Sequence, residues 1–156
     1  MDMSNITYIL GWILNIEAAL MTLPLVTALI YGEREGWFFA GVMALSALVG
    51  FLLTRGRRNN RNFRAREGFV ATGLSWIVMS LFGCLPFYLS GEIPKFIDAL
   101  FETVSGFTTT GASILSTVEE MCHCMMLWRC FTHWIGGMGV LVFLLAVLPK
   151  IGRAHV

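Results

Sequence analysis

Four long apolar segments alternate with short polar or charged segments along this chain of 156 residues. A helix needs about 20 apolar residues to cross the roughly 30 Å hydrocarbon core of a bilayer. The apolar segments approach or exceed that length: residues 6–31, 37–54, 68–89 and 125–148. We therefore predict an all-α integral membrane protein with four spans.

A shorter amphipathic segment, residues 94–105, lies between the third and fourth spans. Pro94 suits the first position of a helix, and Ser105-Gly106 suits its end, because glycine accepts a left-handed cap conformation. Such a helix is about 18 Å long, so it reaches only about halfway across a bilayer. The apolar residues within it recur at helical spacing and form one face: Ile97, Leu100, Phe101 and Val104.

The polar segment after this half-length helix, residues 108–113, contains three threonines and Gly111. Irregular backbone is tolerated at membrane depth only where it packs against protein or lines water. Cation filters use such backbone to replace the hydration shell of an ion with carbonyl oxygens, and glycine permits dihedral angles that are closed to other residues. The pattern predicts a re-entrant pore loop. An amphipathic helix followed by a polar surface loop is the alternative.

The composition agrees with a membrane protein, because 56% of the residues are hydrophobic and only 13% are charged, against about 25% charged in soluble domains. Six arginines lie in the connection between the second and third spans, at residues 55–67. Cytoplasmic loops carry such an excess of basic residues. We therefore place this loop and the N-terminus on the cytoplasmic side of the inner cell membrane. We expect the loop to contact anionic membrane lipid and no nucleic acid.

These features divide the chain into a transmembrane hairpin of two helices, a basic loop, a membrane–pore–membrane unit and a cytoplasmic tail: residues 1–54, 55–67, 68–149 and 150–156. An acidic residue within the first span, Glu17, is either a functional group or a neutral side chain packed against a neighbouring helix. Acidic residues of the outer segments either attract cations to a pore mouth or are merely solvated: Glu92, Asp98, Glu102, Glu119 and Glu120.

Soft metal ligands cluster before and within the fourth span: Met121, Cys122, His123, Cys124, Met125, Met126, Cys130 and His133. Thiolate, thioether and imidazole suit Cu(I) or Zn²⁺, but the spacings match no standard zinc pattern. Buried cysteines more often serve as packing residues, so the sequence assigns no transition-metal site and no cofactor. Paired catalytic carboxylates, a nucleophile elbow and a phosphate-binding loop are also missing from the sequence, so we predict no enzymatic activity.

The sequence of residues 98–113 resembles a motif of the TrkH/KtrB superfamily of potassium transporters, and the resemblance continues at residues 128–129, 134–139 and 148–149. The two helices that precede the pore unit favour TrkH over KtrB. The resemblance implies that residues 68–149 form one of four units around a single pathway for K⁺. It assigns the filter strand, whose backbone carbonyls coordinate the ion, to Thr109, Thr110, Gly111, Ala112 and Ser113. It assigns the support of the pore to Thr108, Asp98, Glu102, Arg129, Gly136, Gly137 and Gly139.

One unit of this kind supplies a quarter of a coordination cage. The chain is therefore expected to be the N-terminal portion of a longer transporter, a truncated product, or a subunit of which four copies assemble. The resemblance also implies self-association and a cytosolic, nucleotide-binding regulatory partner of the TrkA type. A non-transporting membrane scaffold is the alternative function, and a membrane protein that binds copper or zinc is a further one.

Overall fold

The computed structural model describes the backbone of residues 3–55 and 65–152, and the side chains of the same residues except 65–67, 140 and 142–152. Most of the basic loop and the end of the tail, residues 56–64 and 153–156, lie outside the described residues. The described chain is all-helical and contains no strand, which confirms the predicted class. Its helices are α1 (Met3–Leu20), α2 (Thr22–Tyr31), α3 (Gly36–Thr54), α4 (Ala65–Gly83), α5 (Leu85–Ser90), α6 (Phe96–Phe107) and α7 (His123–Gly152).

Three parts of the described chain are long and apolar enough to cross a membrane, and they correspond to the first three predicted spans: Met3–Tyr31, Gly36–Thr54 and Gly68–Ser90. The predicted fourth span lies within α7, which has 30 residues and is about 45 Å long. Large apolar side chains point away from the bundle, for example Ile30 (74% exposed) and Trp37 (81% exposed). Such a surface suits contact with lipid.

The first and third spans are each broken into two helices close to a proline. Pro24 is the third residue of α2, which begins just after α1 has ended at Leu20. Pro86 is the second residue of α5. Proline lacks an N–H group and clashes with the carbonyl four residues earlier, here the carbonyls of Leu20 and Phe82. The two breaks therefore follow directly from the sequence.

The hairpin of the first two spans is closed by two glycines where α1 crosses α3. A Cβ on Gly11 would lie 2.7 Å from the carbonyl oxygen of Gly50, and a Cβ on Gly50 would lie 2.8 Å from the carbonyl oxygen of Gly11. Small residues allow membrane helices to approach this closely. The side-chain amide of Asn15 donates to the Gly11 carbonyl at 2.9 Å, so the same crossing also satisfies a polar side chain inside the span.

The break between α4 and α5 is bridged by the last helix. Trp128 of α7 is completely buried, and its Nε1 donates to the carbonyl oxygen of Gly83 at 2.9 Å. Phe39 of α3 packs edge-on against the same indole, with ring centroids 6.1 Å apart. Helices from the hairpin and from the pore unit thus share one apolar core around Trp128.

The half-length helix is α6, which has 12 residues and is about 18 Å long. It lies two residues later at both ends than the predicted segment, residues 94–105. Pro94 precedes the helix, and Lys95, which has extended dihedral angles, takes the N-cap position. The prediction that Pro94 is the first helical residue is therefore wrong, because the chain is still extended at the residue after it.

The predicted left-handed end of this helix at Gly106 is also wrong. Gly106 lies inside α6, and a Cβ there would overlap Oγ1 of Thr132 in α7. Glycine is needed at this position because the two helices approach closely. The positive φ angles occur further on, at Thr109 and Gly111, within the predicted filter segment.

Candidate ion filter and its supports

The segment from Thr108 to Ser113 leaves α6 as irregular backbone with an unusual conformation. Thr109 has a φ of 55° and Gly111 has a φ of 75°, while neither Thr110 nor Ala112 has a positive φ. A left-handed conformation is rare for a β-branched residue and costs about 1–3 kcal/mol. Alternating signs of φ turn successive peptide carbonyls toward one side of a strand, as coordination of a cation by backbone requires.

Hydrogen bonds from backbone N–H groups fix the start of this segment on the end of α6. The N–H of Thr109 donates to the Gly106 carbonyl at 2.9 Å, and that of Thr110 donates to the Ser105 carbonyl at 3.0 Å. These bonds satisfy carbonyls that a helix end leaves without partners. In the described part of the chain no hydrogen bond reaches the carbonyl of Thr109, Thr110 or Gly111. Those three oxygens are therefore available to a ligand.

The carbonyl of Ala112 differs from its neighbours, because the hydroxyl of Ser105 donates to it at 2.5 Å. Ser105 is buried in the last turns of α6. The bond ties the middle of the segment back to the helix, seven residues earlier in the sequence. Of the residues that the resemblance assigns to the filter, Ala112 is thus already engaged through its carbonyl.

The end of the segment is held by the carboxylate of Glu102, which is 1% exposed. The hydroxyl of Ser113 lies 3.1 Å from both carboxylate oxygens, and the N–H of Ile114 donates to Oε2 at 3.2 Å. Nε of Arg129 in α7 donates to Oε1 at 2.5 Å. A single buried carboxylate therefore joins α6, the far end of the filter segment and α7.

Two further residues predicted to support the pore, Thr108 and Asp98, lie at opposite ends of α6. The hydroxyl of Thr108 lies 2.7 Å from the Val104 carbonyl and 2.8 Å from the hydroxyl of Thr110, so it stabilises the turn out of α6. Asp98 lies in the first turn of α6, where a negative charge suits the helix dipole. Among the described contacts none joins Asp98 to the Glu102 network.

The predicted glycines of α7 allow close contact with the half-length helix. A Cβ on Gly136 would overlap the Phe107 carbonyl oxygen and would lie 2.7 Å from its carbon. A Cβ on Gly137 would meet only a methyl group of Thr109, at 3.9 Å. Gly139 faces Trp76 of α4, and a Cβ at this position would lie 3.1 Å from the indole ring. Gly136 therefore sets how near α7 comes to the start of the filter segment.

The acidic residues predicted to form an outer mouth lie in different environments. Glu92 and Glu120 line an open cleft of about 320 Å³ beside the segment that leads into α7, and Glu119 is exposed. Glu102 does not add to their charge, because it is buried and paired with Arg129. The prediction that Glu102 belongs to a negative outer mouth is therefore wrong.

Glu17 is buried where helices of the hairpin and of the pore unit meet, and no described hydrogen bond joins it to the filter segment. It is completely buried, and neither carboxylate oxygen has a hydrogen-bond partner among the described residues. A Cβ on Gly83 would lie 3.1 Å from its Oε1 and equally near the ring of Phe107. Glu17 thus packs where α1, the break before α5 and the end of α6 meet.

Glu33, in the turn between α2 and α3, has a structural role that sequence reasoning missed. Its Oε1 accepts the backbone N–H of His123 at 2.7 Å, and its Oε2 accepts that of Cys124 at 2.9 Å. It therefore caps the N-terminus of α7 from 90 residues away. Burial would raise the pKa of Glu33, but the hydrogen bonds from Cys124 and His123 outweigh it and lower the pKa from 4.5 to about 2.

The predicted soft ligands do not form one cluster. Cys122 and Cys124 lie together, with their sulfur atoms 3.7 Å apart, and burial raises the pKa of the Cys122 thiol to about 11. Cys130 is exposed, and Nδ1 of His133 lies 3.0 Å from the Arg129 carbonyl oxygen. The sequence pattern thus grouped two cysteines at the start of α7 with residues that lie further along the helix.

Membrane-length helices, a half-length helix and a re-entrant polar segment define a multi-pass membrane protein built around a pore loop. The family profile of TrkH, described as a cation transport protein, matches residues 35–156. The chain belongs to this family, and the predicted resemblance to it is confirmed.

Individual relatives agree with this assignment. The chain is 36% identical over 155 residues to the Trk system potassium uptake protein TrkH of Salmonella typhimurium, and 32% identical over 151 residues to an uncharacterized cation transporter of Methanocaldococcus jannaschii. These alignments cover 97% of this chain and 32% of each relative. The crystal structure of the potassium transporter TrkH from Vibrio parahaemolyticus superposes with a TM-score of 0.88 at 32% identity, over 96% of this chain and 32% of that one. The chain thus spans about a third of the length of these proteins.

Proposed function

We propose that this chain provides one pore unit of a TrkH-type pathway for the uptake of K⁺. The observation that carries the proposal is the conformation of residues 108–113, where left-handed angles at Thr109 and Gly111 leave three backbone carbonyls without protein partners among the described residues. A dehydrated cation needs a row of such oxygens on one side of a strand. Transport then requires no covalent chemistry and no cofactor, and K⁺ is the substrate.

In this proposal the carbonyls of Thr109, Thr110 and Gly111 coordinate the ion, while Ala112 and Ser113 anchor the strand through Ser105 and Glu102. This division refines the role that the resemblance gave to all five filter residues. One strand supplies one side of a coordination cage. The remaining sides come from further units, either in a longer polypeptide or in associated copies of this chain.

The proposal includes an orientation in the membrane. The basic loop at residues 55–67 lies in the cytoplasm, since six arginines favour that side. Because α3 runs from the Glu33 turn to this loop across the membrane, Glu33 then lies on the outer side, together with the N-terminus of α7 that it caps. The cytoplasmic side is where similarity to Trk uptake proteins suggests a nucleotide-binding regulatory partner of the TrkA type.

Replacement of Gly111 by serine tests the filter assignment, and Gly91 offers a matched control. Both glycines have positive φ, 75° and 81°, and a Cβ on either would meet nothing within 4 Å. The two substitutions therefore impose a similar backbone strain with no steric clash, but only Gly111 lies in the filter segment. Uptake of K⁺ and Na⁺ is measured in a host that lacks its own potassium uptake, using a complete TrkH-family protein that carries this unit.

We expect Gly111→Ser to lower the preference for K⁺ over Na⁺ and Gly91→Ser to leave it unchanged. Equal selectivity in both variants would contradict the filter assignment. Expression of the 156-residue chain alone in the same host then distinguishes the sources of the other units. Growth at low potassium would show that copies of this chain assemble, and failure to grow would show that a longer chain is required.

A further inference from the structure

Three potential metal ligands converge where the turn between α2 and α3 meets the start of α7. The sulfur atoms of Cys122 and Cys124 lie 3.7 Å apart. A carboxylate oxygen of Glu33 lies within 4.8 Å of both. Cys124 is buried, and Cys122 and Glu33 are half-buried. None of its described contacts involves the filter segment, and the proposed ion pathway makes no use of it.

We propose that Glu33, Cys122 and Cys124 form a binding site for Zn²⁺. Two thiolates on a tetrahedral zinc ion at Zn–S distances of about 2.3 Å are separated by about 3.8 Å, which is close to the observed spacing of the sulfur atoms. The third ligand is an oxygen. A mixed set of sulfur and oxygen suits Zn²⁺ better than Cu(I), which prefers sulfur alone.

The surroundings of the cluster already orient the carboxylate. Backbone N–H groups of His123 and Cys124 hold the two oxygens of Glu33 in place. Hydrogen bonds of this kind to a ligating group commonly tune metal sites, and they leave an ionised carboxylate with spare lone pairs. Little rearrangement is needed to bring Glu33 and the two sulfur atoms onto one ion.

The charge of the loaded site also suits its position. Two thiolates and one carboxylate around Zn²⁺ carry a net charge of −1. The cluster lies at the N-terminus of α7, where the helix dipole stabilises the negative charge of the loaded site. Because burial raises the pKa of the Cys122 thiol to about 11, the metal has to displace the thiol proton when it binds. Binding releases the protons of both thiols to solvent. The fourth coordination position is open to water or to the imidazole of His123, which is largely exposed and whose Nδ1 lies 2.9 Å from Oε1 of Glu33.

A bound ion would connect two parts of the molecule that are distant in sequence. Glu33 belongs to the N-terminal hairpin, and both cysteines belong to the pore unit. Without metal, this junction depends on the hydrogen bonds that Glu33 makes to the first residues of α7. Metal binding therefore adds a cross-link at that end of the bundle and stabilises the folded chain through mass action.

The test uses Cd²⁺ as a spectroscopic probe, because its thiolate complexes absorb in the near ultraviolet. The purified chain in detergent is kept reduced, freed of metal with a chelator and titrated with Cd²⁺. Cys122→Ser and Cys124→Ser each remove a proposed ligand. Cys130→Ser is the matched control, because it removes an exposed thiol from the same helix. Glu33→Gln leaves both thiols in place and tests the oxygen ligand separately.

We expect the parent chain and Cys130→Ser to bind one Cd²⁺ with a thiolate charge-transfer band that Zn²⁺ displaces. Cys122→Ser and Cys124→Ser should lose the band. Glu33→Gln should bind Cd²⁺ at least about tenfold more weakly, because even loss of a residue that only hydrogen-bonds to a metal ligand lowers metal affinity about 10- to 100-fold. At a fixed Zn²⁺ concentration the thermal midpoint should rise most in the parent and in Cys130→Ser, less in Glu33→Gln, and not in Cys122→Ser or Cys124→Ser. Midpoints measured in chelator show whether each variant is folded.

Three results would overturn the proposal: no band in the parent chain, a band that survives either cysteine substitution, or unchanged affinity in Glu33→Gln. The outcome is independent of the proposed function. Gly111→Ser should bind Cd²⁺ like the parent whatever its ion selectivity, because Gly111 lies outside the cluster.

Discussion

Nε of Arg129 lies 2.5 Å from Oε1 of Glu102, and the same carboxylate accepts hydrogen bonds from Ser113 and Ile114. The pair links the half-length helix to α7, while its remaining hydrogen bonds hold the end of the filter segment. None of the described hydrogen bonds of the pair involves the carbonyls of Thr109, Thr110 or Gly111. The pair therefore fixes the end of the segment without engaging the three free carbonyls.

Glu102→Gln is expected to destabilise the protein strongly. The substitution removes the negative charge and leaves the guanidinium of Arg129, whose side chain is only 17% exposed, without a charged partner. Breaking a buried pair in this way costs about 3–5 kcal/mol. The thermal midpoint in detergent should fall, and K⁺ selectivity of a complete transporter with this substitution should fall with it. Glu119→Gln, at an exposed site, is the control. Equal midpoints for the two variants would show that the pair is not structural.

Gly136→Ala should be far more damaging than Gly137→Ala. The added methyl group at residue 136 would overlap the Phe107 carbonyl oxygen, whereas at residue 137 it would meet only Thr109, at 3.9 Å. Overpacking of this kind costs about 1–3 kcal/mol. The yield of folded protein and its thermal midpoint measure the difference. Similar values for the two neighbouring variants would mean that α7 does not pack this closely on α6.

Ser105→Ala should alter the filter while leaving the fold intact. The substitution removes the hydroxyl that donates to the Ala112 carbonyl at 2.5 Å, a bond worth about 1 kcal/mol. The freed carbonyl can then change its direction, so selectivity for K⁺ over Na⁺ in a complete transporter should fall. Ser90→Ala is the control, because its hydroxyl donates to Phe87 far from the filter. Unchanged selectivity in Ser105→Ala would exclude a role for this bond in shaping the strand.

Hydrophobic periodicity predicted the spans and the half-length helix, because both depend on local sequence. The local sequence pattern gave a wrong prediction at Gly106, because this glycine allows close packing against Thr132 and does not end the helix. The same residue type satisfies both needs, and the sequence does not distinguish them. The role of Glu33 could not be predicted at all, since its partners lie 90 residues away and only the fold brings them together.

In the filter segment, too, some features could be predicted from the sequence and others depend on the fold. Its threonines and Gly111 were recognisable as backbone suited to a cation, and the resemblance named Glu102 and Arg129 as supports. The contacts that those supports make were not predictable, because they join three elements across two loops. Likewise, the sequence placed Cys122, Cys124, Cys130 and His133 in one group, whereas helix geometry separates the last two from the first two.

Trp128→Phe should weaken the core by about 1–3 kcal/mol, the cost of a buried polar group without a partner. Phenylalanine keeps most of the apolar ring, but it cannot donate to the Gly83 carbonyl at the break before α5. The matched control is Trp134→Phe, at a position that is 57% exposed. Thermal midpoints of both variants give the comparison. A midpoint for Trp128→Phe equal to that of the control would show that the hydrogen bond contributes nothing to stability.

The cap that Glu33 places on α7 should make stability depend on pH below about 4.5. The folded protein lowers the pKa of Glu33 from 4.5 to about 2, so the ionised cap contributes fully above 4.5 and is lost as the pH falls toward 2. At neutral pH in chelator, Glu33→Gln should cost about 1 kcal/mol or more, as for other helix caps. The midpoints of parent and variant should converge as Glu33 becomes protonated, while Glu35→Gln should match the parent throughout. A difference between Glu33→Gln and the parent that stays constant down to pH 2 would contradict an ionised cap.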